Sequence, residues 1–200
     1  MADPRAIAWT VLRRVEEQSA FANLALDAEL SHAGAIDSRD KALATEIAYG
    51  VLRRRVALDR ALAPRVRGGL DALEPKGLDL LRVGAYQLLY TRVPPHAAVG
   101  ETVATARTVG LGRASGLINA VLRRLAREGA PPAPDPARDP LGALEVRGSL
   151  PRWLAERLLQ RLGVEEALRF AEAIDRPAPP TVRCNRTRID RAALAARLQA

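Results

Sequence analysis

Cysteine occurs once, as Cys184, so no intrachain disulfide can form; two histidines (His32, His96) and one thiol cannot close a structural zinc site. No stretch approaches the roughly 18 uninterrupted apolar residues that a membrane-spanning helix requires. The opening Met1-Ala2-Asp3-Pro4-Arg5 places an acid and a proline where a signal peptide would be basic and then greasy. A cytoplasmic protein with no metal and no membrane partner is therefore expected. Aromatics are scarce, with two Trp, three Tyr and two Phe, which argues against a base-stacking platform for single-stranded nucleic acid. Lysine is almost missing as well: Lys41 and Lys76 are the only two among 31 basic residues.

What is abundant is Ala, Leu and Arg, all good helix formers, and an all-helical body follows. The 31 basic residues against 23 acidic ones leave a net charge of +8 and a pI near 10.8, which favours polyanionic partners. The 200 residues suffice for one ample domain or two small ones.

Asp3 and Pro4 start a helix over 4–18, with Ile7, Ala8, Val11, Leu12 and Val15 as its apolar stripe. Phe21 to Leu30 forms a second apolar segment. Asp37-Ser38 caps one long helix through Leu62, the expected spine, in which Gly50 implies close packing against a neighbour. Pro75 opens a central helix through Leu89, and Pro94-Pro95 ends it. His96 to Val109 is the next helix, with Gly110 as a left-handed cap. Arg113 to Arg127 follows, with Leu117, Ile118, Val121, Leu122 and Leu125 on its apolar face. Five prolines between Gly129 and Gly148 predict an extended linker, not a helix. Pro151 to Leu162 and Glu165 to Ile174 pair as antiparallel helices around Gly163. Thr181 to Asn185 alternates like a strand, and Asp190 caps a final helix. The strand has no partner elsewhere in the chain, so the chain reads as cut short.

Gly110 to Gly116 imitates a dinucleotide-binding glycine loop, but helices flank it on both sides where a strand should precede, so a helix–helix turn is the better reading. Cys184 reads as a buried strand cysteine and His96 as a cap or packing residue. Three arginine groups are the stronger lead: Arg13-Arg14, Arg53-Arg54-Arg55, and Arg123-Arg124 with Arg127. Three consecutive arginines sweep about 200° of a helix, so at least one of Arg53 to Arg55 must run along the core edge and pair with a carboxylate. If the groups converge they make a phosphate-binding patch; separately each is a solvated helix face.

Several strings carry a family resemblance. Arg39-Asp40-Lys41-Ala42-Leu43, Tyr49-Gly50-Val51-Leu52-Arg53-Arg54, Leu81 to Tyr90, Pro94-Pro95-His96-Ala97-Ala98-Val99 and Asn119 to Arg124 resemble, in order and spacing, the NusB-like RNA-binding domain. That domain stands alone in antitermination proteins and opens the small-subunit ribosomal RNA cytosine-C5 methyltransferases of the Sun/Fmu type. Leu150-Pro151-Arg152-Trp153-Leu154, and Arg176-Pro177 leading to Val182-Arg183-Cys184-Asn185-Arg186, are similar to the segment joining that domain to the methyltransferase core. One departure is Gly100, where the family usually has Asn. The resemblance implies a mainly α chain: a NusB-like bundle over 1–128, a Pro-rich linker over 129–149, and over 150–200 a small helical segment with the first strand and helix of an incomplete α/β subdomain. It implies S-adenosylmethionine for the full-length family but none bound by this chain, and no catalytic residue within it, since Cys184 matches neither catalytic cysteine. Ribosomal RNA is the implied partner, met through Arg13, Arg14, Arg53, Arg54, Arg55, Arg123, Arg124 and Arg127. The alternative is a non-catalytic antitermination-type protein that binds RNA with a small ribosomal protein. A third reading is a helical protein-interaction domain whose arginines are only surface.

Overall fold

The computed structural model describes residues 3–176 and 181–199 and, among them, is built of helices alone. Helix α1 (Pro4–Gln18) begins where the Asp3 carboxylate accepts the Arg5 amide at 2.9 Å, with Pro4 in the first turn, where its missing N–H costs nothing. α2 (Ala22–His32) returns beside it. The expected spine is two helices, α3 (Ser38–Arg53) and α4 (Arg55–Leu62), broken at Arg54, whose φ of −101° and ψ of 15° leave the helical basin. The break is held from outside: the Ser149 hydroxyl accepts the Val56 and Ala57 amides at 3.1 and 3.4 Å, capping α4 from 92–93 residues away.

α5 (Pro75–Tyr90) is the centre of the fold, buried without interruption from Asp79 to Gln87. Nine successive buried positions mean packing on every side, and the three polar ones are all satisfied. Arg82 grips Asp59 with two bonds of 2.7 and 2.8 Å and Asp79 at 2.8 Å, while Gln87 accepts from Arg5 Nε at 2.8 Å. α6 (Pro95–Thr108) and α7 (Ser115–Glu128) complete this core, to which Ile47, Leu58, Leu81, Ile118, Leu122 and Leu125 contribute wholly buried side chains. Leu117 lies 43% exposed, outside the face predicted for it, because Ile118 and Val121 already fill the inward side of that turn. Gly50 packs as its position implies: a Cβ built there would sit 2.0 Å from Cζ of Tyr86.

The proline-rich stretch is not helix-free. Asp139 caps α8 (Pro140–Gly148) by accepting the Gly142 amide at 2.8 Å, and Pro140 occupies the first turn, the one helical place that tolerates proline. Ala143 and Leu144 are wholly buried, and Leu144 starts a second, smaller core with Leu150, Ala155, Ala167 and Ala171. The last three belong to α9 (Arg152–Asp175), two antiparallel arms turned about Gly163, whose φ of 72° a side chain would strain. The predicted strand at 181–185 is not formed among the described residues: the backbone runs on into a turn at 186–188, where the Asn185 carbonyl accepts from Arg188 and Ile189. A lone strand has no ladder to join, and a local turn satisfies the backbone instead. Pro179-Pro180 before it lie outside the described residues. Cys184 is therefore not a strand residue; it is partly buried and its Sγ donates to the Ile189 carbonyl at 2.9 Å. Asp190 caps α10 (Arg191–Gln199) by accepting the Ala193 amide. No described helix is long and apolar enough to cross a membrane.

Candidate nucleic-acid interface

On α1, Arg13 faces inward. It is 8% exposed, its Nη1 donates to Asp79 at 2.7 Å and its Nη2 to Glu17, one turn along. Burial alone would lower its pKa, but the bonds to Glu17 and Asp79 outweigh that and leave it raised, so the charge is fixed in place. The Arg13 bond in turn holds the Glu17 carboxyl below the usual range. Arg14 reaches α2 and pairs with Glu29 at 2.9 Å. Both guanidiniums thus tie α1 to its neighbours.

The central group divides three ways. Arg55 pairs with Glu16 of α1, the carboxylate partner that the helical sweep demands. Arg54 lies 4.8 Å over the Tyr90 ring, a cation–π contact, and Tyr90 stacks on Tyr86 at 5.6 Å. The Arg53 side chain is exposed and makes no hydrogen bond or ion pair with the described residues.

At the end of α7, Arg124 donates to Glu128 at 2.9 Å and Arg65 approaches the same carboxylate at 3.1 Å. The Arg124 bond, with the neighbouring charges of Arg124, Arg65 and Arg127, keeps the Glu128 carboxyl below its ordinary pKa. With that carboxylate already engaged, Arg127 stands 3.8 Å from it and its side chain is 74% exposed. Arg123 uses its Nε on Asn119 at 2.9 Å, leaving both terminal nitrogens without a partner among the described residues. Positions 123 and 127 are one turn apart and share a face.

That face closes a cleft of about 400 Å³ against the start of α6. Pro95, Val99, Gly100 and Ala126 form its walls, and His96, Arg123 and Arg127 its rim. His96 therefore stands exposed at a cleft mouth instead of packing or capping. Neither His96 nor Gly100 was legible as a site residue; the Pro94-Pro95 turn and the four-residue spacing of Arg123 and Arg127 were the available signals. A second cleft, of about 380 Å³, gathers Arg13, Arg55 and Arg82 but with Glu16, Asp71 and Asp79. Three cations against three carboxylates give no attraction for a polyanion. The three arginine groups do not converge: the structure brings Arg13 and Arg55 together in this neutral cleft, and Arg123 and Arg127 in the cationic one.

The glycine-rich segment is a helix–helix turn. Gly110 has φ 81°, a single 3₁₀ turn covers Gly112–Ala114, and α6 occupies the place a strand would need. The described residues thus do not fit an S-adenosylmethionine cradle of that kind. No group of three or more His, Cys, Asp or Glu able to hold a metal occurs among them.

Comparison with known proteins agrees with this architecture. Residues 2–127 match the NusB family model and residues 150–200 the model of the methyltransferase RsmF/B-like, ferredoxin-like domain. The ribosomal RNA small subunit methyltransferase B of Pseudomonas putida is 37% identical over 184 residues, covering 92% of this chain and 40% of the relative. Its namesake in Xanthomonas campestris pv. campestris is 38% identical over 175 residues, covering 86% and 37%. That of Escherichia coli O1:K1 is 36% identical over 152 residues, covering 76% and 34%. The chain thus spans about two fifths or less of the length of these relatives. The crystal structure of PH0851 superposes with a TM-score of 0.66 over 89% of this chain and 40% of that one, at 17% identity, and shares the fold. With more than half of its residues inside one family model and the remainder of the match in a second that follows it, this chain belongs to the NusB family, joined to the ferredoxin-like segment of RsmF/B-like methyltransferases.

Proposed function

We propose that this chain is the RNA-recognition region of an S-adenosylmethionine-dependent small-subunit ribosomal RNA cytosine-C5 methyltransferase acting in the cytoplasm. The observation that carries the reading is the tandem order of the two family matches, 2–127 then 150–200, on one chain. A free-standing antitermination-type protein needs only the first, and two relatives whose matches cover 92% and 86% of this chain are named as ribosomal RNA small subunit methyltransferase B. Residues 1–128 are assigned to RNA and 150–200 to the approach to the catalytic core, with α8 packed between them. Arg53, Arg123 and Arg127 are the principal phosphate contacts, with Arg54 and Arg124 beside them, while Arg13, Arg14 and Arg55 hold α1 against α5, α2 and α4. S-adenosylmethionine supplies the methyl group in this chemistry, and the described residues are assigned to holding RNA instead of the donor.

The test is binding of a small-subunit ribosomal RNA fragment as salt is raised from about 50 to 200 mM. Affinity should fall linearly on logarithmic axes, and replacing Arg53, Arg123 and Arg127 by Gln should reduce the slope by about 0.7 to 0.9 for each phosphate that is no longer neutralised. No binding by the native chain at low salt, or an unchanged slope in the triple variant, overturns the reading.

A further inference from the structure

The cleft between α6 and α7 has more structure than a phosphate contact needs. Its walls are apolar, from Pro95, Val99 and Ala126, and its rim carries two arginines with uncommitted guanidinium nitrogens on one face of α7. Its volume of about 400 Å³ lies within the range of about 300 to 1,000 Å³ that small-ligand pockets occupy. Glu128, the acidic neighbour, is already held by Arg65 and Arg124. Gly100 lines the cleft, and a Cβ built on it meets nothing within 4 Å, so the position has room for a side chain.

We propose that this cleft receives a single unpaired nucleotide of the bound RNA, its phosphate on Arg123 and Arg127 and its base against Pro95, Val99 and Ala126. The proposal rests on the RNA-binding reading above and specifies what kind of RNA is read. Charge selects the anion, since the rim is cationic and the lining holds no carboxylate. The apolar walls select a flat ring over a bare phosphate, because desolvating those walls gains nothing from an ion. In an A-form duplex the bases are stacked inside and cannot reach such a recess, so the occupant comes from a bulge, loop or end. His96 is the one rim side chain able to both donate and accept a hydrogen bond at a base edge, so the pocket discriminates weakly among the four bases.

The experiment compares two hairpin RNAs, identical except that one carries a single-uridine bulge, against the native 200-residue chain and its Gly100→Leu variant. Leu at this position replaces a mid-helix glycine with a better helix former and grows into open space, so the variant folds; its melting curve verifies that. The native chain should prefer the bulged hairpin by about tenfold, what burying about 55 Å² of apolar surface under the seated base is worth. Gly100→Leu should abolish that preference, the two hairpins then binding it with equal affinity. Equal affinity of the native chain for both hairpins, or a preference that survives Gly100→Leu, overturns the nucleotide pocket. An equal loss for both hairpins in Gly100→Leu overturns it in favour of a phosphate contact only. Absence of binding to either hairpin by the native chain instead refutes the underlying RNA-binding reading.

Discussion

Replacing Gly50 by Ala should destabilise the protein, although the same change at an open mid-helix site stabilises one. In α3 an alanine gains about 1 kcal/mol of helix propensity over glycine. Its Cβ would, however, lie 2.0 Å from Cζ of Tyr86 and 2.3 Å from its Cε2 and Oη. Ordinary contact near 3.5 Å requires the ring or the helix to shift by about 1.5 Å. The ring has little room to do so, being 9% exposed and stacked on Tyr90 at 5.6 Å with 28° between planes. Overpacking of this kind costs about 1 to 3 kcal/mol, toward the upper end where the neighbour is rigid, so after the propensity gain of about 1 kcal/mol the net loss is up to about 2 kcal/mol. Gly100→Ala is the matched control, since its Cβ meets nothing and only the propensity gain remains. At about 2 to 4 °C per kcal/mol for a chain of this size, thermal unfolding followed by circular dichroism should place the two variants on opposite sides of the native midpoint. Combining Gly50→Ala with Tyr86→Leu should recover at least about 1 kcal/mol relative to additivity. A Gly50→Ala variant that melts with or above the native protein would show that the close approach of α3 and α5 is not as described.

Two further perturbations test other joints of the fold. Arg82→Met removes the shared partner of Asp59 and Asp79 in the middle of α5, so unfolding in urea should reveal a loss of about 3 to 5 kcal/mol; a change below about 1 kcal/mol would mean that the network around Arg82 is dispensable. Ser149→Gly removes the hydroxyl that caps α4 without adding strain at the φ of 48° that an alanine would suffer. It should cost only a few tenths of a kcal/mol overall but speed amide exchange at Val56 and Ala57 specifically, and unchanged exchange there would refute the cap.

Elements whose causes are local were readable from the sequence. Asp3-Pro4, Pro75, Gly110 and Gly163 each mark a helix boundary by the chemistry of one or two residues, and each boundary lies there, whereas Pro94-Pro95 opens α6 and α5 has already ended at Tyr90. Elements whose causes are distant were not. The break at Arg54 is stabilised by Ser149, far away in sequence, so the periodicity of 37–62 reads as one helix. α8 is hidden by the number of prolines around it, whereas what matters is that Pro140 sits in a first turn behind Asp139. The strand at 181–185 failed for the opposite reason: local alternation was present, but a strand is completed only by its neighbour. Arginine partners divide in the same way. Arg13–Glu17 and Arg124–Glu128 are four residues apart and visible on a helical wheel, while Asp79, Glu29 and Glu16 are brought to Arg13, Arg14 and Arg55 by tertiary packing.

The arginine bias of this chain therefore mixes two signals that composition cannot separate. A guanidinium has five donors in a rigid fork and stays charged when buried, so it can bridge helices as Arg82 and Arg13 do, and every such bridge cancels its own charge locally. Binding of a polyanion depends on the remainder. On α7 the division runs along the helix: Arg124 and Glu128 form a neutral strip, and Arg123 with Arg127 a cationic one about 100° away, turned toward α6. A net charge of +8 spread evenly over the surface would give weak attraction everywhere. On the proposed reading, the exposed guanidinium nitrogens of Arg123 and Arg127 beside an open cleft would give phosphate binding a location, and the apolar residues next to them would give it a shape to select.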